Sequence, residues 1–556
     1  MASNSNELDT EFEDYEDDMM EVSDHDFSLL GLSDDWQVGI SRSEAAENYN
    51  KAGVLVENNQ NNFPWEQYQK LYNPDTSKLI EEVMSEINLD KLSSCQEIFL
   101  HAIGGKKDVF CLANTGAGKT LATGVASLLL RKVFSSSDGL VIMFVPLTGI
   151  LFELLDCSFV STAAVSMSGQ MFGRNDDGGR ILLSEYDILS GRFARLVMHP
   201  ESLKIPQIEQ ILLKLKLKQQ VLGAFIDEFH ILQPMHWASF RPCMEEQSAR
   251  VRVFLRKGAP TGFLSATATE AEVSAACENF GLKSEPVVMA ESPLQKHYKF
   301  VVLKRPSDNY GFEGFLSKNE KFHSGLLQQL KVIIIDEYVR CIQNGEEPKH
   351  GIIFFRTENQ LILLMNYLRQ TLNISNAFSA PFVSLVASTP QVTEMVINNR
   401  KGSISLYLTT QKMLLGLNIP NLSICIFVKP MNMLHSLLQG AGRTGRPLPG
   451  IPAARPRSLV YLLANGGDVG AQVKGMSSEV RDFVGYKNGC LKVFMGKIFM
   501  SGFDQAPRDP DWCCSFCADH AGSQHGEAEP EPGLQSVGVK DQSDEVGQGV
   551  VQSDLL

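Results

Sequence analysis

The chain has 556 residues, too many for one hydrophobic core, so two or three domains are expected. Its formal charge of −15 is uneven: residues 1–50 carry −14 and residues 521–556 carry −6, which leaves +5 on residues 51–520. The acidic total therefore does not exclude a polyanionic partner, whereas the acidic start argues against a signal peptide and no apolar run approaches the roughly 18 residues of a membrane span.

Residues 1–60 read as an acidic, disordered tail, because they hold too little apolar surface to offset the entropy of folding. The patch Phe27-Ser-Leu-Leu-Gly-Leu32 within it is either a docking motif for an unknown protein partner or a chance cluster. From about residue 80, β-rich apolar runs alternate with helical ones. Strands are expected at Val109–Leu112, Leu140–Val145, Leu222–Ile226 and Thr261–Leu264, and in a second series at Gly351–Phe355, Ser403–Leu408 and Ile424–Val428. Such alternation predicts an α/β fold with two largely parallel sheets in tandem, whose chemistry sits at the C-terminal strand ends. Glu285–Asn319, rich in Pro, Ser and Lys, reads as the linker between the two series.

The first strand runs into Ala113-Asn114-Thr115-Gly116-Ala117-Gly118-Lys119-Thr120, and a helical stretch, Leu121 to Leu130, follows. Strand, glycine turn and helix in that order make a phosphate cradle. Backbone N–H groups freed by Gly116 and Gly118 wrap the phosphates, Lys119 neutralises them, and the Thr120 hydroxyl is left for Mg²⁺. ATP and Mg²⁺ are the expected ligands. Asp227-Glu228-Phe229-His230 closes a later strand. A carboxylate there can hold Mg²⁺, which falls to Asp227, while Glu228 can orient and polarise an attacking water. Ser265-Ala266-Thr267 ends the next strand, where small hydroxyls could bond those carboxylates. In the second series, Gln439 opens a run that continues to Arg443 and Arg446, two arginines three apart that could clamp an anion from one helical face.

The ordered set resembles the superfamily-two helicases, motors built from two RecA-like domains, and within them the RecQ-type DNA helicases. Gln96 is similar to the glutamine that reads adenine in that family. Ala113–Thr120, Asp227–His230, Ser265–Thr267 and Gln439–Arg446 resemble its motifs I, II, III and VI, and the stretch 409–421 resembles motif V. Phe240-Arg241-Pro242, thirteen to fifteen residues after Asp227, resembles the end of the aromatic-rich loop that couples single-strand binding to hydrolysis. The resemblance implies catalytic roles for Lys119, Asp227, Glu228, Gln439, Arg443 and Arg446, and DNA contact or coupling for Trp237, Phe240, Arg241, Ser265 and Thr267. Three departures stand out: His236-Trp237 replaces Trp-x-His, Ser93 replaces an arginine, and Leu414 replaces the first glycine of motif V.

The late cysteines resemble the zinc module of the same family. Cys490 with Cys514, Cys517 and His520 would make a Cys₃His zinc site, with Cys513 as the substitute for Cys514 and packing cysteines as the alternative. The expected organisation is an ATP-binding domain over 80–295, a second motor domain over 300–466, a zinc module over 467–520 and a disordered tail over 521–556. Taken together, the resemblance implies a monomeric, nuclear, ATP-dependent 3′–5′ DNA helicase acting on single-stranded and forked DNA. The alternatives are a DNA-stimulated ATPase that remodels without strand separation, and a catalytically weak nucleic-acid-binding adaptor.

Overall fold

The computed structural model describes residues 54–57, 69–114, 116–156, 158–232, 244–282, 286–291, 297–305, 324–355, 358–373, 382–385, 405–410, 419, 422–445, 457–470, 473, 476–486, 489–499 and 513–517. Among them the chain forms two parallel-sheet α/β units of RecA-like architecture in tandem.

The first sheet takes β1 (Val54–Glu57), β2 (Val109–Leu112), β3 (Leu140–Phe144), β4 (Thr162–Val165), β5 (Met171–Arg174), β6 (Arg180–Leu182), β7 (Arg195–Met198), β8 (Val221–Asp227), β9 (Thr261–Ser265) and β10 (Val287–Glu291). Their order is β1-β10-β2-β9-β8-β3-β7-β4-β5-β6, and only the pairs β4/β5 and β5/β6 are antiparallel. The second sheet takes β11 (Tyr298–Lys304), β12 (Gly351–Phe355), β13 (Phe382–Leu385), β14 (Leu406–Thr410), β15 (Ile424–Phe427) and β16 (Ser458–Ala464), in the order β11-β16-β15-β12-β14-β13. The central strands β2, β3, β12 and β15 are buried at every residue, as parallel strands with helices on both faces must be.

Local sequence explains the elements that carry the site. The helix Lys119–Val133 buries Ala122, Val125, Ala126, Leu129 and Leu130, an i, i+3, i+4, i+7, i+8 stripe that faces the sheet. Phe229, inside the Asp227–His230 segment, is 1% exposed and packs against Phe110 at 5.3 Å and Phe263 at 5.9 Å between ring centroids. The apolar residue of that segment is thus an anchor that fixes the polar ones beside it.

Three expectations need correction. The tail expected over 1–60 is not disordered to its end, because β1 within it pairs in parallel with β10. The stretch Glu285–Asn319 is not simply a linker, because it contains β10, which pairs with β2, and β11, which pairs with β16. Val287-Val288-Met289-Ala290 and Phe300-Val301-Val302-Leu303 are apolar enough to join sheets. Their Pro, Ser and Lys neighbours mask that in a composition count. The second-series strand expected at Ser403–Leu408 runs instead from Leu406 to Thr410.

At the C-terminal ends of β11, β15 and β16, Arg305 and Asp468 form a two-pronged pair, 2.9 Å from Nε to Oδ2 and 2.8 Å from a terminal nitrogen to Oδ1. Lys429 approaches the same carboxylate at 3.3 Å. The helices Ser478–Gly485 and Leu491–Phe499 continue the second core rather than forming one of their own: Phe483, Leu491, Met495, Phe499, Cys513 and Cys514 share a cluster with Phe300. Among the described residues no helix is long and apolar enough to cross a membrane.

Candidate functional site: the cleft between the two sheets

The glycine turn follows β2 at the centre of the first sheet. Gly116 and Gly118 take φ values of 82° and 81°, a left-handed backbone that a side chain would strain. Lys119 begins the helix, and its ammonium donates to the Ala113 carbonyl at 2.7 Å and the Asn114 carbonyl at 3.3 Å. The loop is therefore closed on itself, with the lysine filling the cradle. Thr120 is exposed at the second helical position, and Thr115 lies outside the described residues.

Gln96 covers this turn. Its Nε2 donates to the Gly118 carbonyl at 3.2 Å and the Ala117 carbonyl at 3.4 Å, while its Oε1 accepts the Ser93 N–H at 2.8 Å. A Cβ on Gly118 would fall 2.2 Å from Gln96 Nε2, so the glycine is needed for close approach as well as for its φ. Ser93 accepts the Gln96 N–H in return and completes a capping box for the helix Ser94–Gly104. Ser93 thus serves as a helix cap. In this arrangement both ends of the Gln96 amide bond protein groups, so the side chain ties the start of its own helix to the phosphate loop.

Asp227 ends β8, and Glu228 follows with φ at 50°, a conformation that costs a non-glycine residue about 1–3 kcal/mol. The Glu228 N–H donates to Asp227 Oδ1 at 3.1 Å. Burial and the neighbouring Glu228 push the Asp227 carboxyl up to about 7, against the pull of Lys119. Burial also raises Glu228, against the pull of Lys119, Arg443 and His435. Among the described residues Glu228 Oε2 has no hydrogen-bond partner, though it lies 3.4 Å from His230 Nδ1. Two half-buried carboxyls with raised proton affinity, one oxygen unbonded, are a donor set that fits a hard divalent cation.

The second sheet brings its residues to the same place. The helix Leu434–Ala441 ends before Arg443, which sits in the following turn, so the expected single helical face for two arginines does not form. Gly442 caps the helix and Gly445, with φ at 64°, turns the chain away. Arg443 is 9% exposed, and burial lowers its proton affinity against the field of Glu228 and Glu153. Arg446 lies outside the described residues, as do Trp237, Phe240 and Arg241.

Gln439 Nε2 lies 3.2 Å from His230 Nε2 across the cleft, and His230 Nδ1 lies 2.9 Å from Ser265 Oγ. An amide nitrogen only donates, so the ring accepts at Nε2 and carries its proton on Nδ1, an assignment made from the network. Ser265 and Thr267 are 0% and 4% exposed. Ser265 bonds the His230 ring and the Thr267 N–H, not the carboxylates expected from sequence.

Residues 93–276 match the DEAD/DEAH box helicase family and residues 330–447 match the helicase conserved C-terminal domain, together more than half of the chain. This is a superfamily-two helicase. The matched helicase domains are those of ATP-hydrolysing enzymes that act on nucleic acid. Among solved structures the helicase is similar to the DUF1998 helicase MrfA bound to DNA and AMPPNP, at 15% identity and a TM-score of 0.50, covering 71% of this chain and 51% of that one. It is also similar to the DEAD-box helicase Mss116 bound to ssRNA and UDP-BeF, at 16% identity and a TM-score of 0.50, covering 70% and 73%. S. cerevisiae Dbp5 bound to RNA and ADP BeF3 aligns at 15% identity and a TM-score of 0.47, covering 72% and 89%. No curated protein matches the sequence.

A second candidate site in this helicase lies beside the outer edge of the second sheet. The sulfurs of Cys490, Cys513, Cys514 and Cys517 lie within 4.8 Å of one another, 3.3 Å apart for Cys490 and Cys513 and 4.0 Å for Cys490 and Cys514. The sequence expectation used one of the vicinal pair and His520. Here both vicinal thiols converge, and His520 lies outside the described residues. The backbone explains it: the Cys513 carbonyl accepts the Phe300 N–H at 3.2 Å and Cys514 bridges Phe300, which pins this turn to β11. Lys492, 4% exposed, stands close to all four sulfurs. Four thiol donors around one point suit a tetrahedral soft metal such as zinc, and the buried cation offsets part of the charge of four thiolates.

Sequence reasoning missed His435 and Glu272, which meet at 3.0 Å across the cleft. The signal available was the spacing: His435 precedes Gln439 by one helical turn, on the face that Gln439 uses.

Proposed function

We propose that the chain is an ATP-dependent DNA helicase of RecQ type that translocates 3′–5′, works as a monomer in the nucleus and acts on single-stranded and forked DNA. The observation that carries the enzymatic part is the convergence of Lys119, Asp227 and Glu228 from the first unit with Gln439 and Arg443 from the second. The RecQ assignment is supported by Phe240-Arg241-Pro242 after the Asp227–His230 segment and by the glutamine that opens Gln439–Arg446. DNA polarity follows from that resemblance.

In this reading Lys119 leaves the Ala113 and Asn114 carbonyls for the β- and γ-phosphate oxygens, and Gly116 and Gly118 supply N–H donors. Thr120 and Asp227 would hold Mg²⁺, which supplies charge neutralisation along the phosphate chain. Glu228 orients water and takes its proton, a task suited to a carboxylate whose proton affinity is raised. Arg443, with Arg446, stabilises charge on the transferring phosphoryl group, a contribution worth roughly 10³–10⁵ in rate where such fingers are measured. Trp237 stacks on a base, Phe240 and Arg241 couple that contact to the cleft, and the +5 charge of residues 51–520 favours phosphate contact. Cys490, Cys514 and Cys517, with Cys513 or His520, hold zinc and stiffen the outer edge of the second unit. The acidic tails recruit protein partners.

The change from Trp-x-His to His236-Trp237 favours one second reading, a DNA-stimulated ATPase that remodels without separating strands. The test combines phosphate release with displacement of forked DNA of both polarities and of matched RNA. Release that single-stranded DNA stimulates, with displacement only from a 3′ tail, supports the helicase. Release without displacement supports the second reading, and release indifferent to DNA and to Lys119→Ala sinks both.

A further inference from the structure

The motifs that carry the reading above, 409–421 and Gln439–Arg446 in the second unit, give His435 no part. Yet His435 touches three separate elements. Its Nε2 lies 3.0 Å from Glu272 Oε2 in the first unit. Its ring stacks on that of His230, 5.3 Å between centroids and 9° from parallel. On another side the Phe499 ring meets it edge-on at 5.3 Å and 81°. The side chains of His435 and Glu272 are 12% and 7% exposed, so the bond between them is shielded from water.

Both partners are held in place by their own elements. Glu272 is the third residue of the helix Glu270–Asn279, and its Oε2 also accepts the Thr269 N–H at 2.7 Å and the Thr269 hydroxyl at 3.0 Å. A carboxylate so oriented presents a fixed acceptor, and His435 meets it with a proton on Nε2. His435 and Gln439 stand one turn apart on the helix Leu434–Ala441, and both reach the first unit, at Glu272 and at His230. Arg443 follows four residues later, in the field of Glu228. The register of this line is set by its first contact.

We propose that His435 is a positioning residue: by bonding Glu272 and stacking on His230 it latches the second unit onto the first, and so places Gln439 and Arg443 against the Asp227–His230 segment. The proposal deepens the reading of the cleft as an ATPase site and rests on it for its kinetic consequence. Phe499 ends the helix Leu491–Phe499, which Cys490 precedes, and it shares one hydrophobic cluster with Cys513 and Cys514.

The experiment uses the full chain with His435→Ala, Glu272→Ala, the double variant and His435→Gln, which keeps a donor able to reach Glu272. Phosphate release is measured against ATP concentration with single-stranded DNA. Each alanine variant is expected to lower kcat roughly tenfold with KM changed less than about threefold, the size that coupling between neighbouring residues supplies. The double variant falls no further than the weaker single one, and His435→Gln recovers most of the loss. Losses that multiply in the double variant, or an unchanged kcat, overturn the proposal. A merely structural part would lower the unfolding temperature and leave kcat per folded molecule as it was.

Backbone hydrogen exchange without nucleotide supplies an arm that needs no hydrolysis. Amides of Glu270–Asn279 and Leu434–Ala441 lose protection together in either alanine variant if the latch exists, and exchange as in the parent chain if it does not. Should the parent chain release no more phosphate than Lys119→Ala, the ATPase reading fails, and the exchange result alone upholds or overturns the latch.

Discussion

His230 of the first unit accepts from Gln439 of the second across 3.2 Å, and its protonated nitrogen faces Ser265 at 2.9 Å and Glu228 at 3.4 Å. One imidazole thus touches the second unit with one nitrogen and the carboxylate of the cleft with the other. A shift of the helix Leu434–Ala441 is felt at Glu228 through a single rigid ring.

Gln439→Ala removes that contact and leaves the phosphate loop intact. Its kcat for ATP should drop about tenfold, with nucleotide affinity nearly unchanged, because the lost interaction belongs to the assembled cleft and not to the loop. Steady-state phosphate release together with direct nucleotide titration checks this. A change confined to affinity would place Gln439 in binding instead.

Lys119→Ala should abolish nucleic-acid-stimulated phosphate release, by roughly a hundredfold or more, since it removes the ammonium that begins the helix after the glycine turn. Lys119 bonds two carbonyls of its own loop. Their loss is expected to change thermal stability by less than about 1 kcal/mol, because half-exposed hydrogen bonds contribute little net stability. Scanning calorimetry beside the kinetic assay separates the two effects.

The raised Asp227 and Glu228 carboxyls give a pH dependence of known sign. In the folded chain Asp227 keeps its proton up to about 7, against an ordinary value of 3.8. The folded state therefore binds more protons than the unfolded one in that window, and this site's contribution falls as pH rises from about 4 to about 7. Asp227→Asn should raise the unfolding temperature of the apo protein more at pH 8 than at pH 4. Mg²⁺–nucleotide binding at pH 7 should release protons, which calorimetric titrations in buffers of different ionisation enthalpy will detect. A binding enthalpy that is the same in every buffer contradicts the assignment.

The thiol cluster makes a stoichiometric prediction. The purified chain should carry one zinc, and Cys513→Ser and Cys514→Ser should each lose it if four sulfurs ligate. His520→Ala should then keep it. Elemental analysis of the three variants distinguishes four thiolates from the three-thiolate, one-imidazole set. In the parent chain a chelator should lower the unfolding temperature, since the cluster pins 513–514 to β11.

Asp468→Ala removes the two-pronged carboxylate from buried Arg305 and the carboxylate beside half-buried Lys429. The cost should be about 3–5 kcal/mol, the range for breaking a buried ion pair from one side. Denaturant unfolding of the second unit measures it, and a loss below 1 kcal/mol would mean that water reaches the site.

Some of this was legible in the chain itself. The phosphate turn, the Asp227–His230 segment and the Gln439–Arg443 run each depend on short-range chemistry: a glycine φ, a strand end, a helix with polar residues one turn apart. Alternating apolar runs were enough to fix the α/β class. Spacing could not show that β10 and β11 lie inside an apparent linker, because their strand partners, β2 and β16, are more than 150 residues away in sequence. Nor could it show that the helix stops at Ala441 and leaves Arg443 in a turn, or that Gln96 bonds the phosphate loop.

What the sequence determined alone was the identity and order of the reacting groups, since these follow from local backbone geometry and side-chain chemistry. Which of them meet was decided only by packing. Glu272 and His435 are 163 positions apart, and Cys513 joins Cys514 at one point only because β11 holds that turn. Contacts of that kind depend on how two sheets and their helices seat against each other, a property of the whole core that no local pattern encodes.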